Sequence, residues 1–445
     1  MSGGGAFGAY EVGVLKALGE VGIKPTIVAG ASAGALNAVA WVAEGFRTGP
    51  LEKVWRSLEP GAIGMRWTTL AWRAGGLFLL CLGLFEALVT WIGTGDLGVT
   101  ALFWRDAAGR AGIPSALLDL LAWLLIAALG LFIVRTSRDA ELWLARIQTA
   151  KTDRRIRRIS TFLLVTWAFL HILTWVLKYP WPHRFSATLL AGAAIVWFAN
   201  RPSPSGDLLR RALASFLPES RGRGLWTGGA RRRILDILVK AGDSERLLNG
   251  ETKLILSALA LDTGRVAHFV NWPAEDGKFR DRIEAALGEV VPLQSVEQVL
   301  QAAIASSAIP MIFEPARVLG REFVDAVALS THPLQSSIFA GADAALVIVV
   351  APSGAPPKAP RPKSLMDVWA RFLDLANWHD LQREMTGLPD SWLSDEKPCR
   401  LCVVEPAETL PGGVLAYSPK NAATLIKRGE RDAWSALERA GWLED

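Results

Sequence analysis

Three cysteines in 445 residues, Cys81, Cys399 and Cys402, are too few for a disulfide framework. Cys399-x-x-Cys402 has no second Cys or His pair nearby, and Leu401-Cys402-Val403-Val404 reads as a buried strand, which disfavours a metal or redox site there. Charged residues are scarce, at 20%. No RNA- or DNA-binding module is recognisable. The net charge of +5 and the 19 tryptophans, which cluster with apolar runs, therefore favour an anionic lipid surface over nucleic acid. No cleavable signal peptide and no internal repeat is visible. Only Met1 and Ser2 precede the first glycines, so no strand does.

What is present begins with those glycines. Gly3-Gly4-Gly5-Ala6-Phe7-Gly8 stands just before a helical pattern from Ala9 to Leu18. Successive glycines ahead of a helix leave N–H groups free to converge on an anion. Three readings compete. Gly3-x-Gly5-x-x-Gly8 matches a dinucleotide fingerprint, but that needs a preceding strand and an acidic residue about 20 positions on, and positions 23–32 hold none. A flexible tail fits poorly with the ordered helix that follows. The preferred reading is an oxyanion hole built from Gly3, Gly4, Gly5, Ala6 and Gly8.

The group it would serve is Ser32. Thr26-Ile27-Val28-Ala29 reads as a strand and Ala33–Ala43 as a helix, with Gly30-x-Ser32-x-Gly34 between them. Joining strand to helix so abruptly needs small neighbours and pushes the serine out at the helix N-terminus, where developing negative charge is favoured. Alone, the pattern also fits a small-residue turn that happens to hold a serine.

Together these blocks resemble the patatin-like phospholipases, which combine a glycine-rich oxyanion loop, a Gly-x-Ser-x-Gly elbow and a late Asp-Gly-Gly/Ala carrying a dyad aspartate. The matching positions are Gly3–Gly8, Gly30–Gly34 and Asp325-Ala326-Val327. Further matches are Ala305-Ser306-Ser307-Ala308-Ile309-Pro310 and the tail from Tyr417-Ser418-Pro419 to Gly429, so the resemblance covers roughly residues 1–60 and 230–435. Three departures stand out. The family carries a strand before the loop, which raises a start upstream of Met1; Phe7 stands where the family has Lys or Arg; and Ala326 replaces the glycine after the aspartate. The resemblance implies an α/β fold, a three-layer sandwich with a mostly parallel central sheet. It also implies Ser32 as nucleophile, Asp325 as general base, and no cofactor or metal. A Ser-Asp-His triad using His332 or His379 is less suitable, because several strands precede the elbow in that fold and Ser32 comes too early.

Between the blocks the character changes. Ala74–Gly93, Ser115–Val134, Ser160–Tyr179 and Trp181–Ala199 are apolar stretches near the ~20 residues a helix needs to cross a bilayer. Glu86 and His171 lie within the first and third, where a proton relay competes with a simple inter-helix hydrogen bond. The connector Arg135–Arg158 holds eight basic and three acidic residues, and positive loops stay cytoplasmic. Four spans return the chain to its starting side, which puts the catalytic domain on the cytoplasmic face. The expected organisation is a first catalytic part over 1–65, a four-helix transmembrane insertion over 66–201, a basic linker over 202–233 and the second catalytic part over 234–445. Arg231-Arg232-Arg233 is expected against anionic lipid headgroups.

Later elements read as a strand at Leu254–Leu261 in hairpin with Val266–Val270, a helix at Val296–Ser306, a buried strand at Ala345–Val350 and a helix at Ser364–Met385. The expected activity is a serine lipid acyl hydrolase of phospholipase A or lysophospholipase type, acting on membrane phospholipid or lysophospholipid. The alternatives are a transacylase using the same dyad and a non-catalytic lipid-binding scaffold.

Overall fold

The computed structural model describes residues 1–65, 67–92, 120–134, 224–226, 228–249, 251–273, 277–286, 288–327, 329, 332–354, 365–393 and 397–443. The chain divides into two compact units, Met1–Met65 with Arg223–Asp445, and Arg66–Gly222.

The first unit opens with α1 (Gly8–Val21), β1 (Ile27–Ala31), α2 (Ala33–Ala43) and α3 (Gly49–Trp55). The second unit contributes α4 (Trp67–Ile92) and α5 (residues 120–134). The first unit then resumes with β2 (Gly224–Trp226), α6 (Gly229–Ala241), β3 (Lys253–Ala260), β4 (Val266–Val270), α7 (Gly277–Ala286), β5 (Glu289–Pro292) and α8 (Val296–Ser306). It finishes with β6 (Met311–Phe313), β7 (Ala316–Val318), β8 (Arg321–Val324), α9 (Leu334–Phe339), β9 (Ala345–Ile348), α10 (Leu365–Thr386), β10 (Leu401–Val404) and α11 (Pro419–Ala440).

The main sheet runs β5-β4-β3-β8-β7, with β1 also beside β3. β1 is parallel to β3, with Gly30 opposite Leu256 and Ala31 opposite Ser257, and β4 is parallel to β5. The β3–β4, β3–β8 and β7–β8 pairs are antiparallel. The sheet is therefore mixed, where a mostly parallel one was expected. The reason is local: β3–β4 and β7–β8 are joined by short turns, and a tight hairpin reverses the chain. Leu319 and Gly320, at φ 50° and 80°, make the second of these turns.

β3 is buried along nearly its whole length, as a strand covered on both faces is. Ile255 packs with Phe279 and Ile283 of α7, while α2 and α8 also lie against β3. β9 and β10 form a separate parallel pair. Met1 and Ser2 run between that pair and β1: Ala31 N–H donates to Met1 O (3.3 Å), and Ser2 N–H donates to Ile348 O (3.2 Å). α1 lies along α11, tied by Tyr10 Oη to Asp432 (3.1 Å) and Lys16 Nζ to Glu430 (2.9 Å).

In the second unit, α4 and α5 meet backbone to backbone at Gly83 and Gly130. No helix among the described residues is long and apolar enough to cross a membrane. The expected four-span insertion is therefore not supported among the described residues: α4 carries Glu86 as a buried carboxylate, and α5, described over residues 120–134, is shorter than the ~20 residues a crossing needs. The spans Ser160–Tyr179 (with His171) and Trp181–Ala199 and the connector Arg135–Arg158 lie outside the described residues. The basic run ending the expected 202–233 linker is helical, since α6 starts at Gly229.

Candidate active site

β1 passes into α2 through one residue, Ser32, whose backbone sits at φ 52° and ψ −122°. A side-chain-bearing residue held there costs roughly 1–3 kcal/mol and persists only where its surroundings enforce it. Gly30 and Gly34 are part of that enforcement. A Cβ on Gly30 would lie 2.5 Å from Gly34 O, and one on Gly34 would lie 2.7 Å from Ser2 O. Ser32 is buried, at the N-terminus of α2.

The segment leaving α8 holds three parts of the site with three consecutive residues. Ser306 Oγ accepts from Ser32 N–H (2.9 Å) and donates to Ser257 O (2.7 Å). Ser307 receives Arg231 Nη1 at its carbonyl and at its Oγ (2.7 Å to Oγ). Ala308 O accepts from Asp325 N–H (2.9 Å), fixing the residue that follows β8.

Burial pushes the Asp325 carboxyl up from 3.8 to about 7, against the weaker opposing pull of the Ser32 hydroxyl, the Arg231 charge and the Val327 N–H. Ser32 thus lies within interaction range of Asp325. Among the described residues, however, neither Asp325 oxygen has a partner at hydrogen-bond geometry, so the contact is looser than a formed hydrogen bond. Bonds of this kind are often long in an empty site and tighten around substrate.

The glycine loop arrives with Gly5 at φ 54°, and a Cβ there would meet Val414 O at 2.3 Å. Ala6 N–H donates to Val414 O (2.7 Å) and Phe7 N–H to Gly4 O (3.0 Å). Gly8 N–H is also engaged, closing the single 3-10 turn. The amides of Gly4 and Gly5 donate to no group among the described residues. Ala6 was expected among the oxyanion donors, but its amide is occupied by the chain near the C-terminus. Gly3 precedes the turn, and Gly8 is held from its carbonyl side by Asn37 Nδ2 (3.0 Å). Asn37 also donates to Glu11 Oε2 (2.7 Å) and accepts from Trp55 Nε1 (2.8 Å), locking α1, α2 and α3 together behind the loop.

Gly5, Ser32, Asn37, Arg231, Ser307 and Tyr417 line one cavity of about 60 Å³, whose remaining wall is largely Leu, Ile, Val, Trp and Phe. A hydroxyl at a helix N-terminus, a carboxylate with raised basicity and an apolar slot suit attack on an ester carbonyl beside a hydrocarbon chain.

His332 belongs elsewhere. It is buried, pairs through Nδ1 with Asp380 Oδ2 (3.0 Å) and lines a separate cavity of about 380 Å³. The arginine run also departs from expectation. Arg232 forms ion pairs with Asp236 (2.8 Å) and Glu297 (2.6 Å), and Arg231 is buried beside Ser307. A signal for this was available: Arg231, Leu235 and Leu238 share one helical face at i, i+4 and i+7. Ser306, Ser307 and Tyr417 lay inside recognised blocks, but nothing in their spacing gave them roles.

A family model for patatin-like phospholipase matches residues 1–338. Among solved structures, VipD from Legionella pneumophila aligns at 15% identity and a TM-score of 0.34, covering 98% of this chain and 66% of that one. No curated protein matches the chain. The matched stretch runs from the glycine loop through Ser32 to Asp325 and beyond, and on that match the chain belongs to the patatin-like phospholipase family.

Proposed function

We propose that the chain hydrolyses carboxylic esters of phospholipids or lysophospholipids through an acyl-Ser32 intermediate, with Asp325 as general base. The observation that carries this reading is that Ser306 and Ala308, two residues of one segment, fix the backbones of Ser32 and Asp325. Asp325 takes the Ser32 proton as Oγ attacks the ester carbonyl. The Gly4 and Gly5 amides meet the oxyanion, a role in which losing one donor costs about 10²–10³ in rate. Collapse expels the lipid alcohol, which takes the proton back from Asp325. Water then attacks the acyl-serine with Asp325 again as base, releasing fatty acid. An aspartate at its ordinary value near 3.9 is a weak base at neutral pH. Burial to about 7 removes that objection.

Lipid contact by the second unit belongs to the same reading. Leu84, Leu88, Leu125, Leu129 and Phe132 of α4 and α5 are exposed, Leu125 by 70% and Phe132 by 63%. Outward leucines on a helix pair favour an apolar surrounding. The family tie and the apolar runs of 66–201 support the same contact.

A fluorophosphonate probe tests the chemistry: the wild type should label at Ser32, and Ser32→Ala should not. An unlabelled, folded wild type in lipid, with no ester hydrolysis, would end the hydrolase reading. Liposome flotation tests the contact. Leu125→Asp with Phe132→Asp should reduce co-flotation severalfold, and undiminished flotation would remove these two helices from the lipid surface.

A further inference from the structure

Among the described residues, Arg231 is the only charged one lining the Ser32 cavity, and it is 5% exposed. Burying a cation without a counter-ion is unfavourable, so its surroundings ought to neutralise it. They do so only on one side. Nη1 is used by Ser307, and the guanidinium carbon lies 3.7 Å from the centre of the Phe313 ring. Nε and Nη2 have no hydrogen-bond partner among the described residues. Asp325 is the carboxylate whose field reaches it, and the two do not bond; Tyr417, whose ionisation burial disfavours, stays a neutral phenol at pH 7. Burial lowers the guanidinium to about 10, so it remains a cation at neutral pH.

The unused pair is the informative part. Nε–H and Nη2–H form the side-on fork of an arginine, two parallel donors spaced for two oxygens carried on one centre. Two partnerless donors on a buried cation, in a residue that lines the same cavity as the nucleophile, can pair with an anion that enters it. We infer that Arg231 receives the phosphodiester of the lipid headgroup through this fork and so selects phosphorylated over neutral esters. The inference rests on the reading of Ser32 as the nucleophile. The shared chemistry, two oxygens on one anionic centre, is also that of a released fatty-acid carboxylate, and the test separates the two.

Binding is measured first, on full-length Ser32→Ala protein, which cannot turn substrate over. Dodecyl phosphate and laurate are titrated by calorimetry, with and without Arg231→Gln or Arg231→Lys added. Dodecyl phosphate should bind, and Arg231→Gln should weaken it by about 10–100-fold, the range for charge-assisted hydrogen bonds. Lysine keeps the charge but not the fork, so Arg231→Lys should recover only part of the affinity; it also carries the test if Arg231→Gln fails to fold. Equal dodecyl phosphate affinity with and without the arginine overturns the proposal. Loss confined to laurate reassigns the fork to the product carboxylate and overturns it as well.

Turnover is compared next, as the ratio of kcat/KM for lauroyl-lysophosphatidylcholine to that for monolauroylglycerol. The ratio should fall at least tenfold in Arg231→Gln. A parallel loss on both substrates with an altered pH profile would mean that Arg231 acts only through Asp325. Should the wild type hydrolyse neither ester, the hydrolase reading fails, while the binding result still stands or falls by itself.

Discussion

The backbone N–H of Ser32 donates to the hydroxyl of Ser306 at 2.9 Å, joining residues 274 positions apart. Ser306 in turn donates to Ser257 O on β3. The strained serine is therefore held from the centre of the sheet through α8, and its φ of 52° is maintained by a residue that comes nearly three hundred positions later. This relay makes the elbow dependent on one small hydroxyl.

Ser306→Ala leaves the Ser32 N–H buried and unpaired, a loss of about 1–3 kcal/mol. We expect kcat to drop by about tenfold with KM little changed, because the Ser306 hydroxyl lies behind Ser32 and outside the lining of its cavity. Ser306→Thr, which keeps a hydroxyl, should restore most of the rate. Steady-state kinetics decides this, and an undiminished kcat in the alanine variant would refute the relay.

Asp325 must be ionised to take a proton, and its folded value lies near 7. The rate under kcat/KM conditions should therefore climb as pH rises through about 7 and then level off. Asp325→Asn should lose at least about 10²-fold, the scale of general-base catalysis. A profile already flat by pH 5 would assign the base elsewhere.

Burial raises Glu11 from 4.5 to about 8, and its Oε1 has no partner among the described residues. An unfolded chain releases this proton near 4.5 and the folded one near 8, so within that window the folded state holds more protons. Stability associated with Glu11 is thus complete below about pH 4.5 and is lost as pH rises through 8. Glu11→Gln cannot ionise and should lose less melting temperature than wild type between pH 5 and pH 9. Equal losses in the two proteins would show that Glu11 does not set this dependence.

Gly30→Ala would place a Cβ 2.5 Å from Gly34 O, forcing β1 and α2 apart. Such overpacking costs roughly 1–3 kcal/mol or more, and fluorophosphonate labelling of Ser32 should be lost with it. Gly49→Ala serves as control: a Cβ there meets nothing within 4 Å, and its melting temperature should match or exceed wild type. Calorimetry on both variants checks the contrast.

The elbow was legible because short-range chemistry dictates it. α2 occupies Ala33–Ala43, α8 Val296–Ser306 and β10 Leu401–Val404, each as read from sequence. The hairpin of β3 with Val266–Val270 was legible from its short Asp262-Thr263-Gly264 turn, and the pair is antiparallel; the parallel pairing of Val266–Val270 with β5 was not, because an apolar run does not name its second neighbour. The membrane spans were inferred from apolar length and the positive connector, and neither reports how α4 packs: Gly83 lies against the backbone of Ala127, and Glu86 is buried. Arg231 was misplaced because three consecutive arginines beside apolar runs suggest a surface facing lipid headgroups, although its helical phase with Leu235 and Leu238 pointed inward. The hold of Ser306 on Ser32 is a long-range pairing that no local pattern encodes.

The family match stops at residue 338, yet Val414 and Tyr417 reach the glycine loop and the cavity, and α11 runs along α1. The last hundred residues thus act as a brace for the first ten. Proteolysis, tagging or recombination at the distal end amounts to an intervention at the reaction centre, and trimming the chain to residues 1–338 would discard the strut that keeps its opening turn in shape.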